Sequence, residues 1–200
     1  MLTVRRFEVK NRMADGGGVR QITNMNKRAN TAYVSEIDTP LGTMCAAATD
    51  THLVLLEFVD RPHLPDELAR IGRRLGAPCV PGERPIHAVL RSQFAEYYAG
   101  TRASFDVPLL YPGTEFQERV WSELLRIPPG TTCSYLSLAK AIGNAAAVRA
   151  VARANGDNRI AILIPCHRVI GADGSLTGYG GGLWRKQRLL DLEAGVRSLL

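Results

Sequence analysis

"SYLSLAKAIGNAAAVRAVARANGDN", residues 134–158, decides how the second half of the chain is read. Ser134 and Asn144 each precede a short run with helical spacing, and each carries an oxygen able to accept from the free N–H groups of a helix start. Gly143 separates the two runs. Two short helices about a glycine turn predict a helix-turn-helix. The second helix is thin, because Ala145, Ala146, Ala147, Ala150 and Ala152 give it little bulk, and Arg149 and Arg153 stand one turn apart on one side. A thin helix can lie close in a groove while arginines reach phosphates or bases. The same pattern also suits an alanine-rich helix packed on its neighbours with solvated arginines.

Working outward, "TEFQERVWSELLRIPPG", 114–130, reads as a helix opened by a Thr114/Gln117 capping box and closed by Pro128, Pro129 and Gly130. Phe116, Val120 and Leu124 give it one apolar face. After Asn158, "IAILIP" reads as a strand that runs into Cys166, His167 and Arg168. "VIGADGSLTGY" reads as a hairpin around Asp173-Gly174. "GGLWRKQRLLDLEAG" reads as a last helix stopped by Gly195. A helix-turn-helix followed by a hairpin has a winged-helix-like outline.

Residues 31–112 read as a separate small α/β unit. "AYVSEI", "TPLGTMCAAAT" and "HLVLLEFV" supply strands. "LPDELARIGRRLG" is a helix with Asp66 and Glu67 early, Arg73 and Arg74 late, and Gly76 as its stop. "IHAVLRSQFAEYYAGTR" is another, with Val89, Phe94 and Tyr97 or Tyr98 facing a core. "ASFDVPLLYPG" is extended and closes the unit. Residues 1–30 are basic, contain "DGGG" at 15–18 and lack a period, as a flexible arm or linker does. The expected division is therefore 1–30, 31–112 and 113–200.

The 200 residues include 25 Lys and Arg against 19 Asp and Glu, a net charge of +6 that favours a polyanionic partner. No apolar run is long enough to span a bilayer, and "MLTVRRFEVKNRM" lacks the apolar block of a secretory signal, so no membrane partner and a cytoplasmic location are expected. Cys45, Cys79, Cys133 and Cys166 match no zinc or disulfide spacing, and the four histidines form no ligand cluster. Cys45, Cys79 and Cys133 sit among small or apolar neighbours and read as core thiols. Cys166 alone has ionisable company.

A thiol reacts as its thiolate, a minor species at neutral pH unless a base or positive charge helps. His167 follows Cys166 directly, so in an extended segment the two side chains point apart, and a water would have to relay the proton. A carboxylate is needed to orient the imidazole, and Glu193 on the last helix is the candidate. Arg168 reads as a structural ion-pair former. Three chemistries fit: a Cys/His/Glu hydrolase, a redox-sensing thiol, or a thiol that accepts a group from a nucleic-acid base. The neighbouring helix-turn-helix favours the third. A DNA-binding regulator that keeps a reactive thiol is the alternative without transfer.

"IPCHRV", 164–169, preceded by "SYLSLAKAIGN…VRAVARANGDN" and followed by "LTGYGGG", resembles the O6-alkylguanine-DNA alkyltransferase family. The likeness runs from Gly113 to Glu193, and "TPLGTMCAAAT" resembles the family's amino-terminal domain. It implies an α+β protein: a small ribonuclease H-like α/β domain, then a winged-helix-like helix-turn-helix domain with the active-site cysteine. It implies binding of double-stranded DNA in the minor groove, rotation of O6-alkylguanine out of the stack, and irreversible transfer of the alkyl group to Cys166. O4-alkylthymine is a further expected substrate. One turnover per molecule is implied, with no cofactor and no metal. By the same resemblance His167, through a water, and Glu193 deprotonate the thiol, and Asn158 braces the turn before it. Arg149 fills the gap left by the base, with Ala147, Ala150 and Arg153 on the same DNA-facing helix. Tyr135 sits against the phosphate or the flipped base, and Tyr179 lines the pocket. Backbone groups of Cys166 and Val169 accept from the guanine amino group, and the N–H near Gly180 donates to O6. Gly180 stands where the family often has a larger residue, so bulkier alkyl groups are expected to enter. Arg159 stands where some relatives have proline, so an extra phosphate contact is expected. The cysteine cluster of adaptive-response members is missing, so repair without transcriptional control is expected. The expected state in solution is a monomer, with cooperativity on DNA open.

Overall fold

The computed structural model describes residues 30–196, so the arm expected over 1–30 lies, except for residue 30, outside the described residues. The chain begins with β1 (Ala32–Ile37), β2 (Met44–Ala48) and β3 (Leu53–Phe58) as an antiparallel meander. Helix α1 (Leu64–Leu75) crosses over to β4 (Cys79–Pro81), which pairs parallel to β1. The sheet order is β3-β2-β1-β4. Period-two alternation sorts the middle of the sheet. Cys45, Ala47 and Leu55 pack with Leu64 and Ile71 of α1. Met44, Ala46, Leu56 and Phe58 face the main core, with Leu90, Phe94 and Tyr97 of α2 (Pro85–Tyr98). β2 and β3 are thus buried on both faces, which is why they read as continuous apolar runs.

The helix signals hold where they rest on capping chemistry. α1 has Asp66 and Glu67 in its first turn, Arg73 and Arg74 in its last, and Gly76 at φ 69° as its left-handed cap. α3 (Glu115–Leu124) has the Thr114/Gln117 box, with Val120 and Leu124 buried. α4 (Tyr135–Ala141) starts at Ser134, whose side chain accepts from the Ser137 N–H. Val89 is the exception on α2: it is exposed, while Phe94 and Tyr97 are buried.

The second half departs from the expectation in four places. Asn144 makes no side-chain cap. Its carbonyl accepts from Ala147 N–H instead, and residues 145–147 form one 3-10 turn before α5 (Val148–Gly156). "IAILIP" is not a strand. Ile160 makes a single bridge to Leu56, Ile162 sits at φ 72°, and Ile164 N–H reaches back to Ile160 O. Cys166–Arg168 is a 3-10 turn, not extended. The Asp173-Gly174 turn closes through Gly171 N–H to Ser175 O, but no hairpin ladder follows. Instead β6 (Val169–Ile170) pairs parallel with β5 (Cys133–Ser134), just before α4. Helix α6 (Leu183–Glu193) ends the described chain, with Gly195 at φ 81°.

The two halves share a core. Phe58 and Leu90 belong to the same buried cluster as Trp121, Leu138, Val151 and Leu189. Trp121 Nε1 donates to Ala154 O at 2.8 Å, tying α3 to α5. The edge of β3 also holds the reactive segment directly: Leu56 N–H donates to Arg159 O, and Ala161 N–H to Leu56 O, both at 2.8 Å.

Candidate active site

The reactive segment is built from two ends. Asn158, 3% exposed, holds its start. Its Oδ1 accepts from Ile160 N–H at 3.0 Å, while its Nδ2 donates to Ile164 O at 2.8 Å and to Cys166 Sγ at 3.1 Å. One amide therefore closes the turn and touches the thiol. The turn needs such a brace, because a β-branched residue at positive φ, here Ile162, is strained. Asn155 adds a long donation to Cys166 O at 3.5 Å.

Glu193 holds the other end. Its carboxylate accepts from His167 Nε2 at 2.9 Å, from Arg168 Nε and a terminal guanidinium nitrogen at 2.8 Å each, and from Tyr97 OH at 2.8 Å. Gly130 N–H adds a contact at 3.3 Å. Burial alone would raise the Glu193 carboxyl, but the hydrogen bonds from His167 and Arg168 together hold it well below the usual range. His167 is fully buried, and that burial lowers its pKa despite Glu193. The imidazole is therefore neutral and able to take a proton. Its Nδ1 is buried without a hydrogen-bond partner among the described residues.

Cys166 is buried too. Burial pushes its thiol up to about 11, with the Asn158 hydrogen bond opposing. Neighbouring positive charge does not make it a resting thiolate, contrary to the simplest reading of the motif. The pocket around it is lined by Asn158, Tyr179, Gly180, Glu57 and Arg61 and closes to about 10 Å³, near the space of one water.

The other expected residues separate into two groups. Tyr179 lines the pocket, whereas Val169 does not and lies fully buried in β6. Tyr179 OH is buried and unpartnered among the described residues, and Val169 O accepts from Lys186 Nζ at 2.6 Å. Tyr135 opens α4, half-buried, its OH 3.4 Å from Thr177 O. Arg149, Ala150 and Arg153 lie exposed on α5, with Ala147 partly so just before it, while Val151, Ala154 and Asn155 face inward. Gly180 is at the pocket mouth, but the room above it is taken by Arg61, whose guanidinium carbon would lie 2.7 Å from a Cβ built there. Arg159 is not at a phosphate site. It is 7% exposed, ion-paired with Glu67 at 2.5 Å and bonded to Pro112 O. Cys45 is a core thiol as expected, but Cys79 and Cys133 are only half-buried.

Sequence reasoning missed four residues. Lys186 is fully buried and donates to Val169 O and Thr177 O at 2.6 Å each. It shares a face of α6 with Leu189 and Glu193, a spacing that marks it as inward. Glu57 and Arg61 line the pocket, and an acidic residue inside "LVLLEFV" was the visible sign. Tyr97 was placed in the core but not against Glu193.

The description 6-O-methylguanine DNA methyltransferase, DNA binding domain, matches residues 115–195. A methylated-DNA–protein-cysteine methyltransferase of Mycolicibacterium paratuberculosis is 47% identical over 157 residues, covering 78% of this chain and 89% of the relative. The chain belongs to the methylated-DNA–protein-cysteine methyltransferase family. The fold agrees with this membership. The crystal structure of Mycobacterium tuberculosis O6-methylguanine methyltransferase superposes with a TM-score of 0.70 at 43% identity, over 82% of this chain and 93% of that one. The same species' OGT in complex with DNA gives 0.68 at 42% identity, over the same shares. No described helix is long and apolar enough to cross a membrane.

Proposed function

We propose that this methyltransferase-family protein repairs double-stranded DNA by moving the alkyl group of O6-alkylguanine, and of O4-alkylthymine, onto its own Cys166. The observation that carries the reading is a buried Cys166, held by Asn158 in a small pocket, with the His167–Glu193 pair at 2.9 Å beginning at the next residue and a thin helix alongside that exposes Arg149 and Arg153. The DNA complex of a 42% identical structure supports DNA as the partner. Residues 31–112 form the unit that backs the pocket, and 113–200 the unit that binds DNA and accepts the alkyl group.

In the proposed sequence α5 enters the minor groove, with Ala147 and Ala150 allowing close approach and Arg153 reaching phosphate. The damaged base leaves the stack, Arg149 takes its place, and Tyr135 helps the backbone rotate. The base meets Tyr179, the carbonyls of Cys166 and Val169, and the N–H near Gly180. The thiol proton passes through a water to His167 Nδ1, and Glu193 steadies the imidazolium. Sγ attacks the alkyl carbon in line, an S–C bond forms as the C–O6 bond breaks, and the electron pair stays with the base. The base anion takes one proton from water at N1 (N3 for thymine) while His167 returns the thiol's proton to solvent, so the product is ordinary guanine or thymine. Asn158 holds Sγ at its starting point. The thioether has no leaving group to regenerate the thiol, so each molecule acts once, as a monomer.

A titration of the protein with excess duplex containing O6-methylguanine tests this reading. Repaired guanine is expected to plateau at one per protein. Continued product formation would mean a turning-over hydrolase.

A further inference from the structure

The transfer reading leaves one charged pair at the pocket without a role. Glu57 lies on β3, a strand otherwise apolar, and is 3% exposed. Arg61 lies just beyond β3, and its guanidinium is ion-paired with Glu57. Both line the pocket with Cys166, Asn158, Tyr179 and Gly180. The guanidinium rests against Gly180 so closely that a Cβ there would lie 2.7 Å from its carbon. With Arg61 in place the space at Cys166 is about 10 Å³, room for a water and not for a purine. Burial raises the Glu57 carboxyl to about 7, and Arg61 opposes the rise, so the two side chains hold each other.

We propose that Arg61 is the plug of the alkyl-acceptor pocket, tethered by Glu57 and displaced whenever a base enters. The proposal rests on Cys166 being the acceptor. Three consequences of the geometry support it. The side chain fills the mouth where Gly180 leaves room for it. Its anchor is rooted in β3, the strand that hydrogen-bonds residues 159–161, so plug and thiol share one rigid support. The closed state keeps the thiol buried and protonated, which shields a reagent that can be used only once from electrophiles in solution. Arg61 is therefore a specificity-determining residue. It excludes small reagents and free alkylated bases, and it yields to a base delivered by bound DNA. Opening is a local event whose population sets access to Cys166.

The test measures access and transfer separately, on the full chain. Access is the rate at which iodoacetamide labels Cys166, located by peptide mass spectrometry. Transfer is measured with free O6-benzylguanine and with duplex O6-methylguanine. The variants are Arg61→Ala and the double variant Glu57→Gln with Arg61→Ala, which leaves no buried carboxylate unpaired if the single variant fails to fold. Circular dichroism confirms the fold of each. Labelling of Cys166 and transfer from the free base are both expected to rise by about tenfold, as for a plug closed most of the time. Arg61→Lys should fall between. Folded variants whose Cys166 labelling matches the wild type would overturn the plug. If labelling rises but duplex O6-methylguanine never methylates Cys166 in any form, the plug stands and the alkyl-acceptor reading fails.

Discussion

At the scale of single residues, the site separates resting protection from reactivity. Cys166 is held protonated by burial, so reaction depends on a built-in proton acceptor. In the proposed mechanism His167 fills that role, and burial, which lowers its pKa, suits it to do so. With His167 present, the transfer rate should vary little between pH 7 and 9. In His167→Ala it should be lower by about 10²–10⁴-fold and climb about tenfold per pH unit as thiolate forms unaided. Single-turnover quench kinetics across that range check both. The same shifts set stability. His167 and Glu193 have lowered folded-state values, so their contributions are complete above the unfolded values, 6.5 and 4.5, and are lost as pH falls through the folded ones. Cys166 has a raised value, so its contribution is complete below 9.0 and is lost as pH rises toward about 11. These three groups together favour the fold most between about pH 7 and 9, while Glu57, raised to about 7, opposes them on the acid side because its contribution is complete below 4.5 and lost as pH rises toward 7; urea unfolding of the wild type against Glu57→Gln should separate the two effects. Cys166, His167 and Glu193 were legible because they are ionisable residues in apolar surroundings. The thiol's raised value was not, because it comes from burial and, secondarily, from the charge of Glu57, both set by parts of the chain distant in sequence.

At the scale of elements, two connections decide the site's shape. One is the Asn158-braced turn. Asn158→Ala removes a buried donor set that closes the segment around strained Ile162, and should destabilise by about 1–3 kcal/mol while slowing transfer. The other is the Glu193 hub at the end of α6. Glu193→Gln leaves Arg168 buried without its counter-charge and should cost about 3–5 kcal/mol in denaturant unfolding. Helix starts at Thr114 and Ser134 were legible because capping is local chemistry. Asn144 is also a residue type that caps helices, but it lacks the backbone geometry, and a 3-10 turn follows it instead. "IAILIP" looked like a strand because short apolar runs do not distinguish a strand from a buried turn. Its conformation is set instead by one asparagine side chain and by pairing with Leu56.

At the scale of the molecule, the two halves are fastened around the pocket. Arg159 pairs with Glu67, Arg185 pairs with Asp60 at 2.8 Å, and Tyr97 donates to Glu193. The reactive segment is therefore backed by the amino-terminal sheet, and α5 faces outward. Arg149→Ala and Arg153→Ala should each weaken duplex binding and lower the salt dependence by about one released counterion, without lowering unfolding stability. Fluorescence titrations at several salt concentrations check this. The α+β class, and among the described residues the six helices and the first three strands, were legible, because hydrophobic period and turn residues encode them; β4 and β5 were too short to leave a pattern. The joining of the halves was not, because Arg159, Arg185 and Tyr97 find partners far along the chain that no local pattern names. The proposed repair requires Cys166 to be the acceptor. Intact-protein mass spectrometry after mixing with one-lesion O6-methylguanine duplex, with peptide mapping and a Cys166→Ala control, tests it most directly. A gain of one methyl group per molecule, mapped to Cys166 and lost in the control, is expected. DNA binding without any mass gain, or a methyl group on another residue, would contradict it.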